Sequence, residues 1–158
     1  MAIYMKYGTF KGNVTEAGHK DWIELGSFQW GVGRGISSPT GSSTTREGSN
    51  PSISEIVVTK HQDGSSTYLF TDAVAGKMNT DVTIEFTATA AGKVATYLKY
   101  QLTDTGLSGY SVSSGGDRPS ESLSLNFTKI IWTFTPTAAD LTGTPNTVGY
   151  NLSTMTTT

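Results

Sequence analysis

The chain has few residues whose types and spacing could do chemistry, and each reads more simply as structure. His19 and His61 are its two histidines. Both stand in polar, turn-like surroundings without carboxylates or thiols at ligand spacing, so they do not outline a metal site. The run Gly31-Val32-Gly33-Arg34-Gly35 follows a strand-like stretch, which is half of a phosphate-cradle context. The other half, a helix N-terminus directly after it, is replaced by a Ser/Thr/Pro stretch, so these glycines read as bends at a strand end. No Gly-x-Ser-x-Gly elbow anchors a serine triad. With no cysteine, thiol catalysis and disulfides are excluded. Glu24 and Glu85 read as solvated strand faces, and nothing pairs them as glycosidase carboxylates. Trp22, Trp30 and Trp132 could stack sugars. Trp30 and Trp132, however, share parity with apolar neighbours and read as β-core residues; Trp22 reads as core or interface. No catalytic, cofactor or metal chemistry emerges, which points to a structural or binding protein.

The composition agrees with that class. A chain of 158 residues fits a single domain, taken here as residues 1–158. Apolar content is only 35%, with 18 glycines and abundant Ser and Thr, which favours β structure with many turns over a helical bundle. A formal charge of −2 supplies no basic field for nucleic acid or anionic lipid. No stretch is long and apolar enough to insert in a membrane as a helix. The N-terminus opens as an alternating strand, so export through a cleavable signal peptide is not expected.

The elements that position these residues are mostly strands. Ile3, Met5 and Tyr7 alternate in the first. The next, residues 22–34, changes its apolar parity partway. Ile23 and Leu25 share one face, Phe28, Trp30 and Val32 the other, so a bulge or sharp coil is expected at Gly26 and Ser27. The same slip separates Leu123, Leu125 and Phe127 from Ile130, Trp132 and Phe134 within a strand expected over residues 122–135. Two long strands of this kind imply a curled sheet. Between them lie a long polar loop over residues 35–52, a β-branched strand over residues 53–60, and one short α-helix at about residues 65–76 with Leu69, Phe70, Ala73 and Val74 on its apolar face. Residues 81–90 alternate with Val82, Ile84, Phe86, Ala88 and Ala90 inward and Thr83, Glu85, Thr87 and Thr89 outward. Ala91-Gly92 forms a hairpin turn. Two further strands follow, one carrying Val94, Leu98, Tyr100 and Leu102 and a shorter one carrying Leu107, Tyr110 and Val112. Residues 136–145 read as loop, and residues 147–152 as the last strand. The fold class is mainly β: a single-domain β-barrel of two curled, largely antiparallel sheets with one short helix.

Four blocks in order carry a family resemblance. They are residues 19–32 (HKDWIELGSFQWGV), 93–103 (KVATYLKYQLT), 115–127 (GGDRPSESLSLNF) and 148–151 (VGYN), with Tyr150 where tryptophan is usual. Together they resemble the haemolysin-coregulated protein (Hcp) family, the tube protein of type VI secretion. Their order and spacing make the match specific, although none is a mechanistic motif.

The resemblance implies a homohexameric ring that stacks head-to-tail into a tube and can carry effectors in its lumen. Type VI effectors and sheath or spike components would be its partners, with no enzyme activity and no cofactor. It implies residence in the bacterial cytoplasm before firing, then secretion into the medium or a target cell. It also implies that Gln29 faces the lumen and that Ser42, Arg46, Glu47, Arg118 and Glu121 make contacts between subunits or rings. For Glu121 the residues alone leave three readings open: a charged strand cap, a partner for Arg118, or a subunit contact. A phage-tail-tube subunit and a carbohydrate-binding β-sandwich are the alternatives.

Overall fold

The computed structural model describes residues 1–37, 48–90, 92–136 and 143–158. In chain order its elements are β1 (Ala2–Tyr7), a 3-10 turn (Ala17–His19), β2 (Ile23–Leu25), β3 (Ser27–Gln29), β4 (Val32–Gly33), β5 (Ser52–Ile53) and β6 (Ile56–His61). Then come α1 (Ser66–Ala75), β7 (Thr80–Ala90), β8 (Lys93–Ser113), β9 (Ser120–Asn126), β10 (Lys129–Phe134), β11 (Asn146–Asn151) and β12 (Thr156–Thr157). Every strand pairing is antiparallel, as hairpin-rich sequence predicts.

β8 organises the fold. Its first half belongs to one sheet, in the order β2-β1-β7-β8-β10-β11-β12, and its second half to another, in which β3 pairs β6, β6 pairs β9 and β9 pairs β8. A single strand of 21 residues thus replaces the two separate strands expected over this stretch. The junction is local. Asp104 takes a left-handed backbone at φ 52, and β10 ends its pairing at Thr103 while β9 begins its own at Gly106. The strand expected over residues 122–135 is accordingly two, β9 and β10. The parity slip after Phe127 is where the chain passes from the second sheet to the first. Thr128 holds the crossing by donating its N–H to the Thr103 carbonyl at 3.1 Å.

The other parity change works the same way. β2 pairs β1 in the first sheet, β3 pairs β6 in the second, and Gly26 between them donates its N–H to the Thr59 carbonyl at 2.7 Å. The two sheets therefore meet twice, at β8 and at Gly26. The pairings establish two large antiparallel sheets and a separate β4–β5 pair; among the described residues the closed barrel expected from the sequence is not found.

The inward faces form one core, in which Met5, Tyr7, Ile23, Ile56, Ile84 and Leu123 are fully buried. α1 closes one side of it, lying against β8. Leu69 is its buried anchor, an insertion worth roughly 1.5–3 kcal/mol. The Tyr7 hydroxyl donates to the Asp72 carboxylate and ties the helix to β1. Phe70 and Val74, expected on the buried face, are exposed. The inward positions are Ser66, Leu69 and, in part, Ala73.

β7 keeps its alternation in the pairing with β1; the register shift between Phe86 and Thr87 lies in its pairing with β8. Thr87, expected to face outward, is nevertheless buried, its hydroxyl donating to the Ala2 carbonyl. Ala90 pairs with Lys93 and Gly92 adopts φ +74, the left-handed backbone a tight hairpin needs. Ala91 lies outside the described residues.

Candidate assembly interface

Sequence alternation places Trp132 and Phe134 on the face of β10 shared with buried Ile130, yet Trp132 is 39% and Phe134 42% exposed. The expectation that Trp132 fills the core is therefore corrected: the core ends at Ile130, and beyond it the sheet runs past the layer that would cover it. β11 adds Val148 beside Trp132 in register, also exposed. Trp30 comes from the segment after β3, half-buried, and its ring meets Trp132 edge-on at 6.2 Å. The Trp30 indole N–H donates to the Tyr100 hydroxyl at 3.3 Å. Trp30, Trp132 and Val148, with Val32, Ile53 and Tyr150, line an apolar groove of about 280 Å³.

The groove can bind apolar surface, and it is poorly built for a sugar. Carbohydrate hydroxyls need convergent donors and acceptors, and among the described residues Thr157 is the only hydroxyl side chain besides Tyr150 in the lining. The two indoles stand at 88° to one another, so they offer no shared stacking plane.

The positions named from sequence are spread over different parts of the molecule. Gln29 is exposed on β3, turned away from Phe28, whose ring packs on Phe86 and Tyr100. Arg118 is exposed and donates from Nε to the Gln62 carbonyl at 2.7 Å. Ser42, Arg46 and Glu47 lie outside the described residues. Glu121 is not at the surface. Its side chain is fully buried and bonds Lys60 and Tyr110, which corrects the pairing with Arg118.

Glu121 instead joins a buried ionic cluster that sequence reading missed. Lys60 stands opposite it in the β6–β9 register and donates from Nζ to Oε2 at 2.7 Å. The same ammonium meets Asp63 Oδ1 at 3.0 Å and donates to Ser66 Oγ at 3.1 Å. Tyr110 donates its hydroxyl to Glu121 Oε1 at 2.9 Å. Burial and that bond push the Tyr110 phenol up to about 12. The signal was present: Ile56, Val58 and Lys60 share one parity, as do Glu121, Leu123 and Leu125. A charge on the apolar face of each of two strands predicts that the two meet.

A second cluster lies on the outer face of the first sheet. His19, expected to be isolated in a polar turn, is buried, with Nδ1 at 2.5 Å from Glu16 and Nε2 at 2.6 Å from Glu85. Glu85 is therefore no solvated strand residue; its side chain is 15% exposed. Among the described residues no group of three His, Cys, Asp or Glu is arranged to hold a metal ion.

Residues 4–134 match the family model described as type VI secretion system effector, Hcp. The chain belongs to the Hcp family. No curated protein matches it by sequence. A solved structure described as a type six secretion system protein shares 27% identity with a TM-score of 0.91, covering 99% of each chain. Hcp1 from Salmonella typhimurium aligns over 100% of both chains with 21% identity and a TM-score of 0.78. A type VI secretion system effector from Yersinia pestis aligns over 94% of this chain and 98% of its own, with 18% identity and a TM-score of 0.74. At those two identities the likeness is one of fold. The chain is thus an Hcp-type tube protein of type VI secretion, a family of structural, secreted proteins.

Proposed function

We propose that this Hcp protein forms six-membered rings that stack head-to-tail into a tube and carry effectors in the lumen. The observation that supports ring formation best is the exposed apolar strip of Trp132, Phe134 and Val148 beside the groove. Such a strip costs solvation until another surface covers it. It lies on β10 and β11 near the margin of the first sheet, where strand edges are available to a neighbour. A heterologous contact whose rotation closes gives a ring, and a second along the axis gives a tube. A net charge of only −2 lets copies approach without strong repulsion.

In this reading the two sheets curl toward a barrel. Their double connection, through β8 and through the Gly26 to Thr59 bond, supports that curvature. Gln29 would then face the channel, and Arg118 with Ser42, Arg46 and Glu47 would serve contacts between subunits or rings. Sheath or spike components would meet the outside. The protein would reside in the bacterial cytoplasm until firing carries it out without a cleavable signal; no helix among the described residues is long and apolar enough to cross a membrane.

Native mass spectrometry and negative-stain electron microscopy test the assembly. A hexamer mass and ring images with a central pore are expected. Monomer or dimer alone across the concentration range would reject it.

A further inference from the structure

The connector between β1 and β2, residues 8–22, is anchored at its start by the Gly8 N–H on the Asp81 carbonyl and by Phe10 stacked on Tyr7, and at its tip one imidazole meets the outer face of the first sheet. Within the connector, Val14 and Asp21 exchange backbone bonds with their opposite residues: Asp21 N–H to the Val14 carbonyl at 2.9 Å, and Val14 N–H to that of Trp22 at 3.1 Å. Asp21 accepts a left-handed backbone, φ 66, to make this fold-back. Its tip, the Ala17–His19 turn, then delivers His19 onto the sheet.

Both ring nitrogens of His19 meet carboxylates, Nδ1 that of Glu16 and Nε2 that of Glu85. A neutral imidazole has one N–H and one lone pair, so it can donate to only one of them. The other contact would set a nitrogen lone pair against carboxylate oxygen at hydrogen-bond distance. The doubly protonated ring satisfies both. We propose that the His19 imidazolium is a proton-dependent latch, pinning the β1–β2 connector to the sheet when charged and releasing it when neutral.

The groups around it agree in sign. From the connector come Glu16 and the edge-on Trp22 ring at 4.8 Å. β1 supplies Tyr4, whose ring lies 4.7 Å from the imidazole. Its phenol is pushed up by burial and by Glu24 of β2 and Glu16, so it stays neutral. β7 supplies Glu85. β8 supplies Thr96, which donates to Glu85 Oε2 at 2.8 Å, and Lys99, whose Nζ is 3.8 Å from Glu85 Oε1. Lys99 is thus the one cation among these groups, and it sits beyond Glu85. Asp21 is paired outward with Lys11 at 3.9 Å, and Lys20 is exposed. Glu16 is held below the ordinary carboxylate range, first by the Gly18 N–H and then by His19, so it is anionic when the imidazole titrates.

The sign follows. The proton is held in the folded chain by two carboxylates that the unfolded chain does not supply, so the latch is complete at acid pH and is lost when the ring gives up that proton. His61, exposed at the end of β6, is the other histidine and serves as an internal reference.

Two measurements on the full chain decide it. Long-range proton–nitrogen spectra of the wild type should show His19 still protonated on both nitrogens at a pH where His61 has become neutral. Urea unfolding of the wild type and His19→Gln from about pH 5 to about pH 8.5 should give a midpoint difference that is largest at the acid end and at least halved at the other. A His19 ring that titrates with His61 while Asp21 keeps its amide protection, or a midpoint difference independent of pH, would overturn the latch. If His19→Gln does not fold, the wild-type spectra decide alone.

Discussion

Lys60 and Glu121 face each other across β6 and β9, 2.7 Å apart, with neither side chain exposed to solvent. Each would be costly to bury alone. Together with Asp63, Ser66 and Tyr110 they form a network in which the ammonium meets three oxygens and Glu121 uses both of its own. The network links the helix start, β6, β8 and β9, and so pins the second sheet against the helix.

Removing one partner should therefore be worse than removing both. Lys60→Met leaves Glu121 buried without its cation and should cost about 3–5 kcal/mol. The double variant Lys60→Met, Glu121→Leu should recover much of that loss, because the fully buried carboxylate is gone and Asp63 keeps the Ser65 N–H and hydroxyl as donors. Urea denaturation of the three proteins gives the coupling directly. Equal loss in single and double variants would mean that packing, not charge, governs the position.

Tyr110 makes the same network sensitive to alkali. Its phenol ordinarily ionises near 10 and is pushed up to about 12 in the fold, chiefly by burial and then by Glu121. The neutral phenol is thus favoured by folding. Its contribution is fully present below pH 10 and is lost as pH climbs from there toward about 12. Phenolate absorbance during a pH titration should show Tyr110 lagging the exposed tyrosines. Tyr110→Phe should flatten the alkaline fall in stability by removing that linkage. A wild-type and a variant curve that run parallel above pH 10 would refute it.

Much of this fold was legible because strand alternation is a hard geometric rule. The parity changes at Gly26 and after Phe127 located two of the places where the chain passes between sheets. What parity could not supply was depth. Trp132 occupies the parity of Ile130, but how far a covering layer extends depends on the other sheet, and there the apolar face continues into solvent. Lys60 and Glu121 were readable as inward charges and became a pair only once β6 and β9 were placed side by side. His19 and Glu85 are far apart in sequence and meet only across β1 and β7, so no local pattern could have announced their contact. The Phe86–Thr87 register shift likewise depends on the partner strand, since the extra residue is Tyr97 in β8.

The connector that carries His19 also imposes a steric rule at Gly12. A Cβ there would stand 2.4 Å from the Trp22 carbonyl oxygen and 2.8 Å from the Ile23 Cα, both backbone atoms that cannot rotate aside. Gly12→Ala should displace the start of β2 and cost about 1–3 kcal/mol, as overpacking does. Thermal unfolding measures it. A variant as stable as the wild type would show that the connector shifts freely.

Val148 tests the assembly surface without touching the core. It is exposed in the folded chain, so Val148→Asp should change monomer stability by no more than about 0.5 kcal/mol. If the strip beside Trp132 is covered in a ring, the added carboxylate would be buried against apolar surface, and the hexamer population in native mass spectra should collapse. Intact rings from a well-folded variant would move the interface elsewhere on the molecule.

Gln29 separates cargo binding from assembly. Its neighbour Phe28 is held inward by Tyr100 and Phe86, at ring distances of 4.8 and 5.1 Å, which fixes the opposite direction for Gln29 on β3. An exposed side chain so oriented can be exchanged without disturbing those rings. Gln29→Arg should leave thermal stability within about 0.5 kcal/mol and ring formation intact. If the residue lines the lumen, each hexamer would gain a ring of guanidinium groups around its channel. Effector retention in pull-downs should then fall while ring mass stays the same. A Gln29→Arg ring that retains cargo as the wild type does would place Gln29 away from the cargo path.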